Sequence, residues 1–428
     1  MIILVIHTVR PGDSIYSIAT LYGVPMQKII DDNKLKNPDQ LVVGQTIVVV
    51  SDHTAHTVAP GESLYSIARR YGVTVSGILR VNPEITDPSK LEVGQVIIVP
   101  AAAPKLGTID VNGYAFPNIN TDTLASTLPH LTYVSIFSYQ VRPDGSLAPI
   151  QDTGIIQTAR QQKVAPLMVI TNIKEGASFD SELGHIILTD EKVQNTLFDN
   201  IIKTLGKGYY GLDIDFEYLY PRDRENYNRF VKRAVDTLHP LGYTVTTALA
   251  PKTSSDQSGL LYEAHDYAAH GAIVDHVVLM TYEWGFTYSE PRAVAPVDLV
   301  EKVLQYAVTV IPSKKILMGI PNYGYNWTLP YVPGSAARSL SHTASVDLAA
   351  EVKAEIQFDT KAQSPFFRYY DSSRIQHEVW FEDARSIEAK LKLVDKYHLG
   401  GVSYWTINSF FPQNWLVLDS MYNVRKVL

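Results

Sequence analysis

The chain of 428 residues contains no cysteine. Disulfide bonds, thiolate nucleophiles and cysteine-ligated metal centres are therefore excluded. No run rich in lysine and arginine occurs, and the formal net charge is −7, so nothing in the composition points to a nucleic-acid partner. No apolar run reaches the roughly 18 residues that a membrane-spanning helix needs. We therefore expect no membrane span.

We do not expect the start of the chain to be a standard secretion leader. The apolar stretch Met1–Ile6 is short, and it lacks a basic segment and a small-residue cleavage site. What the chain does have is 46% hydrophobic residues, enough for a large core, and a length that predicts two or three domains. Its 26 tyrosines outnumber the 13 phenylalanines, and rings with a polar edge suit a surface that binds sugars.

Residues 1–100 contain an internal duplication, which we interpret before assigning any fold. Each copy predicts a strand, two helices and a strand in a compact unit of about 45 residues. The acid–serine pair after each Pro-Gly is a helix N-cap signal, and Gly23 or Gly72 can end the helix that follows. The matching segments are His7–Ala19 with His56–Ala68, Tyr22–Val24 with Tyr71–Val73, Asn33 with Asn82, and Leu41–Gln45 with Leu91–Gln95.

This repeat resembles the LysM module, which implies binding to glycans that contain N-acetylglucosamine, such as peptidoglycan or chitin. In that family two loops contact the sugar. They correspond here to Gly12–Ile15 with Asn33–Leu41, and to Gly61–Leu64 with Asn82–Leu91. The alternative is that the Pro-Gly and Gly-Gln pairs only form turns, and His7 and His56 are expected to be scaffold. The candidate glycan-binding residues are Gly12, Asp13, Ser14 and Asn33 in the first copy, and Gly61, Glu62, Ser63 and Asn82 in the second.

The rest of the chain predicts a (β/α)₈ barrel, an α/β fold in which strands alternate with amphipathic helices. We place the modules at 1–50 and 51–100, a linker at 101–106 and the barrel at 107–428, with an insertion of about 325–381 after strand seven. The amphipathic stretches predicted between the strands include Glu191–Leu205, Arg224–Leu238 and Val297–Val310. The eight predicted strands are Ile109–Phe116, Tyr133–Tyr139, Ala165–Thr171, Tyr209–Glu217, Thr244–Ala250, His276–Tyr282, Lys315–Pro321 and Gly401–Thr406.

Three acids alternate with apolar residues on the fourth predicted strand. Because successive side chains of a strand point to opposite faces, Asp213, Asp215 and Glu217 should share one face. Crowded carboxylates resist ionising together, so an ionised Asp215 should raise the pKa of Glu217 and make Glu217 a general acid near neutral pH. Asp213, one step deeper, can hold or exchange the proton of Asp215.

The residue pattern by itself leaves two chemistries open at this strand. Carboxylates in a barrel support glycoside hydrolysis, but they also suit a magnesium ion. No histidine lies near the acids in sequence, and Tyr282 and Trp405 end other predicted strands on the face where barrels carry their active sites. These features favour glycoside hydrolysis over a magnesium site. No histidine cluster has metal-ligand spacing, and we expect neither a metal nor a cofactor.

The barrel region also resembles glycoside hydrolase family 18. Gly211–Glu217 is similar to the family's DxxDxDxE signature, Met280–Glu283 to its M-x-Y-D element, and Gly401–Trp405 to its last strand. The resemblance implies a retaining, substrate-assisted reaction. It makes Glu217 the proton donor, and it has Asp215 orient the acetamido group of the substrate.

The same resemblance implies that Tyr282 hydrogen-bonds the acetamido oxygen and that Trp405 packs under the sugar. Two positions depart from the pattern: Tyr210 replaces the first acid of the signature, and Glu283 replaces the aspartate of M-x-Y-D. Asn172, Tyr323 and Asn322 lie at predicted strand ends, and for each of them a structural and a functional role are equally open. The further candidates for substrate binding are Glu283, Met280, Asn172, Tyr323 and Asn322.

The domain order resembles one subgroup of the family, the hydrolases that degrade cortex fragments in bacterial spores, and Gln376–Asp383 is similar to that subgroup. This implies a β-N-acetylglucosaminidase acting on peptidoglycan during germination. It would be made in the mother cell and deposited at the boundary of coat and cortex, or else associated with the cell wall. A chitinase is the alternative enzyme. A non-catalytic glycan-binding protein is the third possibility, although such family members lack the acid present here as Glu217.

Overall fold

The computed structural model describes residues 3–51, 54–71, 73–82, 84–99 and 105–428. The repeat folds as predicted into two βααβ modules, each closed by an antiparallel strand pair. Gly23 ends the first helix in a left-handed conformation, at φ 61°, whereas Gly72 and linker residues 101–104 lie outside the described residues. The elements are β1 (Ile3–Thr8), α1 (Ile15–Tyr22), α2 (Met26–Asn33), β2 (Thr46–Ser51), β3 (Thr54–Thr57), α3 (Leu64–Tyr71), α4 (Val75–Val81) and β4 (Val96–Val99).

The eight predicted strands form a closed parallel barrel in chain order, because the last strand pairs with the first. The fold class is therefore confirmed. A further short strand, β18 (Tyr422–Val424), extends the sheet beside the first barrel strand. The barrel strands are β5 (Gly107–Ala115), β6 (Tyr133–Gln140), β7 (Ala165–Thr171), β8 (Gly211–Asp215), β9 (Thr244–Leu249), β10 (His276–Leu279), β11 (Ile316–Pro321) and β17 (Gly401–Trp405).

Helices cover the outside of the barrel and bury the outward-facing residues of its strands. Leu212, Ile214 and Phe216 are fully buried in this layer. The Phe216 ring lies 5.9 Å from the ring of Tyr227 and 5.6 Å from that of Phe230, both on one helix. The helices are α5 (Thr121–Thr127), α6 (Thr153–Gln161), α7 (Ser181–Thr189), α8 (Glu191–Leu205), α9 (Arg224–Leu238), α10 (Tyr267–Ile273), α11 (Val297–Ala307), α13 (Ala384–Lys396) and α14 (Pro412–Met421).

The predicted insertion is a small domain with its own sheet. Its strands, β12 (Gly324–Leu329), β13 (Arg338–Leu340), β14 (Gln357–Asp359), β15 (Ser364–Tyr370) and β16 (Gln376–Trp380), form an antiparallel sheet in the order β13-β12-β16-β15-β14, with α12 (His342–Glu351) between β13 and β14. The insertion starts and ends within one residue of the predicted bounds, and it rises beside the carboxyl ends of the barrel strands.

The first module is docked on the barrel. Val48 and Val50 of β2 pack into the main hydrophobic core. Gln413, in the last helix of the barrel, donates to the carbonyl of Thr46 at 2.7 Å and to Asn33 Oδ1 at 3.0 Å. The carbonyl of Gly44 accepts from Arg385 at 3.1 Å. Buried apolar area and buried hydrogen bonds therefore hold the module in place.

Among the described residues, no helix is both long enough and apolar enough to cross a membrane.

Candidate active site

The acids of the fourth strand lie at the carboxyl end of the barrel, as the alternation predicts. Asp213 and Asp215 point into the barrel and are buried, while Glu217 is half-buried at the rim. The regular strand ends at Asp215, two residues earlier than predicted. Glu217 therefore stands just beyond the strand, where its side chain can face the cleft.

Side chains from two neighbouring segments hold the backbone at this point. The Glu217 N–H donates to Asn172 Oδ1 at 2.9 Å, and the amide of Asn172 donates to the Glu217 carbonyl at 2.8 Å. His265 Nε2 lies 2.9 Å from the carbonyl oxygen of Phe216. These bonds replace the strand ladder, so the backbone of Glu217 is fixed although it has left the sheet.

Asn172 was a candidate for substrate binding, and its position indicates a different role. It is fully buried. Both amide hydrogens are used, by the carbonyls of Glu217 and Asp180, and its oxygen accepts from the Glu217 N–H. As placed, Asn172 offers no free hydrogen-bonding group to a ligand and instead positions Glu217.

A polar network inside the barrel supports Asp213. Ser135 donates to Asp213 Oδ2 at 3.0 Å and lies 3.1 Å from Asn112 Oδ1, and Asn112 donates to Ser403 at 3.0 Å. The sequence reasoning missed these three residues and His265. Their signal was present, because Asn112, Ser135 and Ser403 are polar residues inside apolar strands, where a buried polar group needs a partner.

All three acids hold protons more tightly than free carboxyl groups, and burial is the first cause in each case. Burial raises the pKa of Asp213 to about 6, against the opposing effect of the Tyr114 and Ser135 hydroxyls. Burial and the charges of Glu217 and Asp213 raise the pKa of Asp215 well above its ordinary value. Burial and the charge of Glu283 raise the pKa of Glu217 to about 8. The sequence predicted crowding between Asp215 and Glu217, and this crowding raises the pKa of Asp215. Burial and Glu283 are causes for Glu217 that the sequence did not show.

Glu283 lies beside the acids and departs from the family pattern in a way the structure explains. Its backbone is in the left-handed region, at φ 68°, a conformation that costs a non-glycine residue of order 1 kcal/mol and that clusters at functional sites. Its carboxylate accepts from the hydroxyls of Tyr323 and of Tyr325, the latter at 3.1 Å. Burial raises its pKa, and these two hydroxyls oppose the rise. The Glu283 carboxylate therefore reaches Tyr323, just after β11, and Tyr325, in the first strand of the insertion.

The aromatic candidates surround the acids. Tyr282 is buried, and burial and the charges of Asp215 and Glu217 raise its pKa well above 10. The Trp405 ring lies 4.7 Å from that of Phe137 and 5.3 Å from that of Tyr114, in edge-on contacts. Met280 is half-buried and packs in the same interior cluster as Trp405.

A cleft of about 420 Å³ opens beside these residues. Trp405, Glu283 and Tyr323 line it, together with Phe116 and Tyr325. Asn322 also lines the cleft, but its amide donates to the carbonyls of Thr406 at 2.8 Å and Ser409 at 2.7 Å. It therefore holds the segment after the last strand against the wall of the cleft.

Tyr210 lies away from these residues. It packs half-buried against Tyr133, with ring centroids 6.1 Å apart, in a cluster that also includes Val427. Its side chain belongs to the opposite end of the barrel from Glu217, so the missing fourth acid leaves the rim of the cleft unchanged.

Two of the LysM candidates require a correction. Asn33 and Asn82 are buried, and the amide of each ties α2 or α4 to the closing strand of its module. Asn82 donates to the carbonyls of Ile78 at 2.7 Å and Ile98 at 2.6 Å and accepts from the Ile98 N–H at 2.6 Å. The amide groups of both side chains are therefore engaged in hydrogen bonds within the protein.

The remaining LysM candidates also have local structural roles. Asp13 and Glu62 contact His7 at 3.0 Å and His56 at 2.6 Å, which agrees with the scaffold role predicted for the histidines. Ser14 forms a reciprocal cap with the third residue of its helix, and Ser63 does the same in the second module. Gly12 and Gly61 have φ 87° and 82° and border open space. Glycan contact by these loops stays a prediction.

The described part of the chain contains no group of three or more histidine, aspartate or glutamate side chains arranged to hold a metal ion.

Sequence comparison assigns the class of protein. The model of the glycosyl hydrolases family 18 matches residues 109–409, and the LysM domain model matches residues 7–50 and 56–100. The first match covers more than half of the chain. The chain therefore belongs to glycoside hydrolase family 18 and is a glycoside hydrolase with two LysM domains.

Particular relatives resemble the chain over its full length. A cortical fragment-lytic enzyme of Bacillus subtilis (strain 168) is 44% identical, over 98% of this chain and 99% of the relative. The crystal structure of the Bacillus megaterium QM B1551 spore cortex-lytic enzyme SleL superposes with a TM-score of 0.91 at 41% identity, covering 99% of both chains. A Chromobacterium violaceum chitinase is more distant, with a TM-score of 0.69 and 25% identity over 73% of this chain and 98% of that one.

Proposed function

We propose that the protein is a retaining β-N-acetylglucosaminidase that hydrolyses spore cortex peptidoglycan. The observation that carries the proposal is the buried acid row that ends in Glu217, whose neighbour Glu283 lines an aromatic cleft, in a chain that also carries two LysM modules. The full-length similarity to enzymes named for cortex fragments and cortex lysis supports the choice of peptidoglycan over chitin.

In the proposed reaction Glu217 acts first as acid and then as base. With its pKa raised to about 8, it keeps a proton at neutral pH and gives it to the glycosidic oxygen as that bond breaks. The substrate's own 2-acetamido oxygen attacks the anomeric carbon and closes an oxazolinium ring. Glu217 then takes a proton from a water molecule that attacks the anomeric carbon from the face that the leaving group has left. The bond to the acetamido oxygen breaks, and the two inversions together retain the configuration.

The neighbours of Glu217 prepare the acetamido group. Asp215 accepts the acetamido N–H and stabilises the positive charge that develops in the ring. Its Oδ1 has no hydrogen-bond partner among the described residues, so an acceptor is available. Tyr282 donates to the acetamido oxygen, and Trp405 packs under the sugar. Asp213 can hold or exchange the proton of Asp215.

The germination setting follows from the substrate. Cortex fragments exist in the spore wall, so we place the protein at the boundary of coat and cortex, with the LysM modules bound to the glycan. The mother cell would deposit it there.

Digestion of purified cortex, compared with chitin oligomers, tests the proposal. Mass spectrometry should find products with N-acetylglucosamine at the new reducing end, and it also identifies whether muramic lactam or peptide stems are needed beside the cut. Turnover of chitin oligomers with no cleavage of cortex would replace the proposal with a chitinase.

A further inference from the structure

A second cavity, of about 250 Å³, lies between the first LysM module and the barrel, and we call it the junction cavity. The loop between α2 and β2 forms one wall, with Lys34, Asn37 and Gln40. The start of α12 and the segment before α14 form the other, with His342 and Phe410. Neither the family-18 acids nor the cleft residues line it.

The junction cavity and the catalytic cleft share two chain segments. Ser341 and Ser409 line the cleft, and the residues that follow them, His342 and Phe410, line the junction cavity. The two spaces are therefore neighbours, separated by the segments Ser341–His342 and Ser409–Phe410.

The walls of the junction cavity have the chemistry of a sugar site. The Lys34 ammonium lies 4.2 Å from the centre of the Phe410 ring, a cation–π contact, and Leu35, Phe411 and Pro412 add apolar surface to the lining. Asn37 and Gln40 are exposed at the rim and can bond hydroxyl and acetamido groups. An apolar wall with a few polar groups is the usual composition of a ligand pocket.

The second module shows what docking changes. A Cβ on Gly44 would lie 1.8 Å from the Ile356 carbonyl, whereas the equivalent Gly94 borders open space. Val93 is 65% exposed. Among the described residues, the turn at Gly44 packs against Ile356 and the turn at Gly94 does not. The first of the two equivalent loops therefore lies against the rest of the protein and can form a shared site.

We propose that the junction cavity is a further glycan subsite, which binds an N-acetylated sugar of the same strand that occupies the cleft, several residues from the scissile bond. This inference rests on the proposed function for the identity of the glycan. The first module then acts as a fixed wall of an extended binding track, and long strands bind more tightly than short ones.

Binding to the full chain carrying Glu217→Gln tests the subsite without depending on turnover. The probes are reduced cortex glycan strands of four and of at least ten sugars, measured by titration calorimetry. We expect the ratio of long-strand to short-strand affinity to fall about fivefold when Phe410→Ala is added, and about twofold to threefold with Asn37→Ala, which is exposed and leaves the core intact.

Lys232→Ala is the matched control. Lys232 lies on α9, outside both the cleft and the junction cavity, 57% exposed at its side chain and paired with Asp236, and its loss should leave the affinity ratio as it is. An unchanged ratio in both Phe410→Ala and Asn37→Ala overturns the subsite, as does a parent protein that binds long and short strands equally. Failure of the proposed function appears separately, as wild-type protein that cleaves no cortex.

Discussion

At the scale of single residues, the surroundings of Glu217 keep its carboxyl group protonated at neutral pH. The alternation Asp213, Asp215, Glu217 could be predicted from sequence, because period two on a strand fixes which side chains share a face. Burial and the charge of Glu283, which raise the pKa of Glu217, could not be predicted from sequence. Glu283 reaches the site from another strand end, and such distances appear only in three dimensions.

Glu283→Gln should move the alkaline limit of activity to lower pH. The proton donor works in its protonated form, so activity is present below the pKa of Glu217 and is lost as pH rises through about 8. Removing the Glu283 charge removes one cause of that raised pKa, so the limit moves down, while Tyr323 and Tyr325 can still donate to the glutamine oxygen. The pH profile of kcat/KM measures this. A limit that stays in place or moves up contradicts the electrostatic assignment.

Asn172→Ala should lower kcat by about 10- to 100-fold with little change in KM. The substitution releases the N–H and carbonyl of Glu217, and a small displacement of a catalytic group is costly because the reaction depends on alignment. Leaving buried polar groups unpaired should also reduce the free energy of unfolding by about 1–3 kcal/mol. Steady-state kinetics well below the melting temperature separates the two effects. A KM change at constant kcat would point to direct substrate contact instead.

At the scale of elements, the sequence predicted the strands well in their middles but placed the catalytic ends of two strands, β8 and β10, too late. β7 and the helices α8 and α9 match their predicted bounds, but β8 ends two residues early and β10 three residues early. At these ends the backbone bonds to side chains or to itself, as when Tyr282 N–H donates to the Met280 carbonyl. Local propensity carries no information about such bonds, so active-site ends were predicted as continued strand.

The buried asparagine of each LysM module joins the second helix to the closing strand by hydrogen bonds, and its removal should destabilise that module. Asn82→Ala removes hydrogen bonds to Ile78 and Ile98 and should cost the second module about 2–3 kcal/mol. Hydrogen exchange of β4, compared with that of the barrel strands, measures the loss locally. Thr86→Ala, an exposed change on the following loop, is the control. Equal protection of β4 in both variants would show that the hydrogen bonds of Asn82 contribute little to the stability of the second module.

At the scale of the whole molecule, the first module is part of the barrel's surface and has a fixed orientation. Two duplicated sequences thus have different environments: Thr46 is 3% exposed, and its counterpart Val96 is 36% exposed. The repeat predicts both modules from sequence, because each folds around its own small core. The docking could not be predicted, because it depends on Gln413 and Arg385, far along the chain.

Gln413→Ala should loosen the first module from the barrel. The side chain makes buried hydrogen bonds to Thr46 and Asn33, and their loss should cost about 2–4 kcal/mol of docking free energy. Small-angle scattering should record a larger radius of gyration, and proteolysis should become faster near residue 44. Ser420→Ala, on the same helix, is the control. A radius equal to that of wild type would mean that apolar packing alone holds the module.

Turnover and binding by Glu217→Gln test the central claim most directly. Glutamine keeps the shape of the side chain but has no proton to give, so kcat on cortex fragments should fall by about 10²- to 10⁴-fold, while the dissociation constant for the glycan stays within about threefold. Hydrolysis within tenfold of the wild-type rate would contradict the assignment of Glu217 as the proton donor.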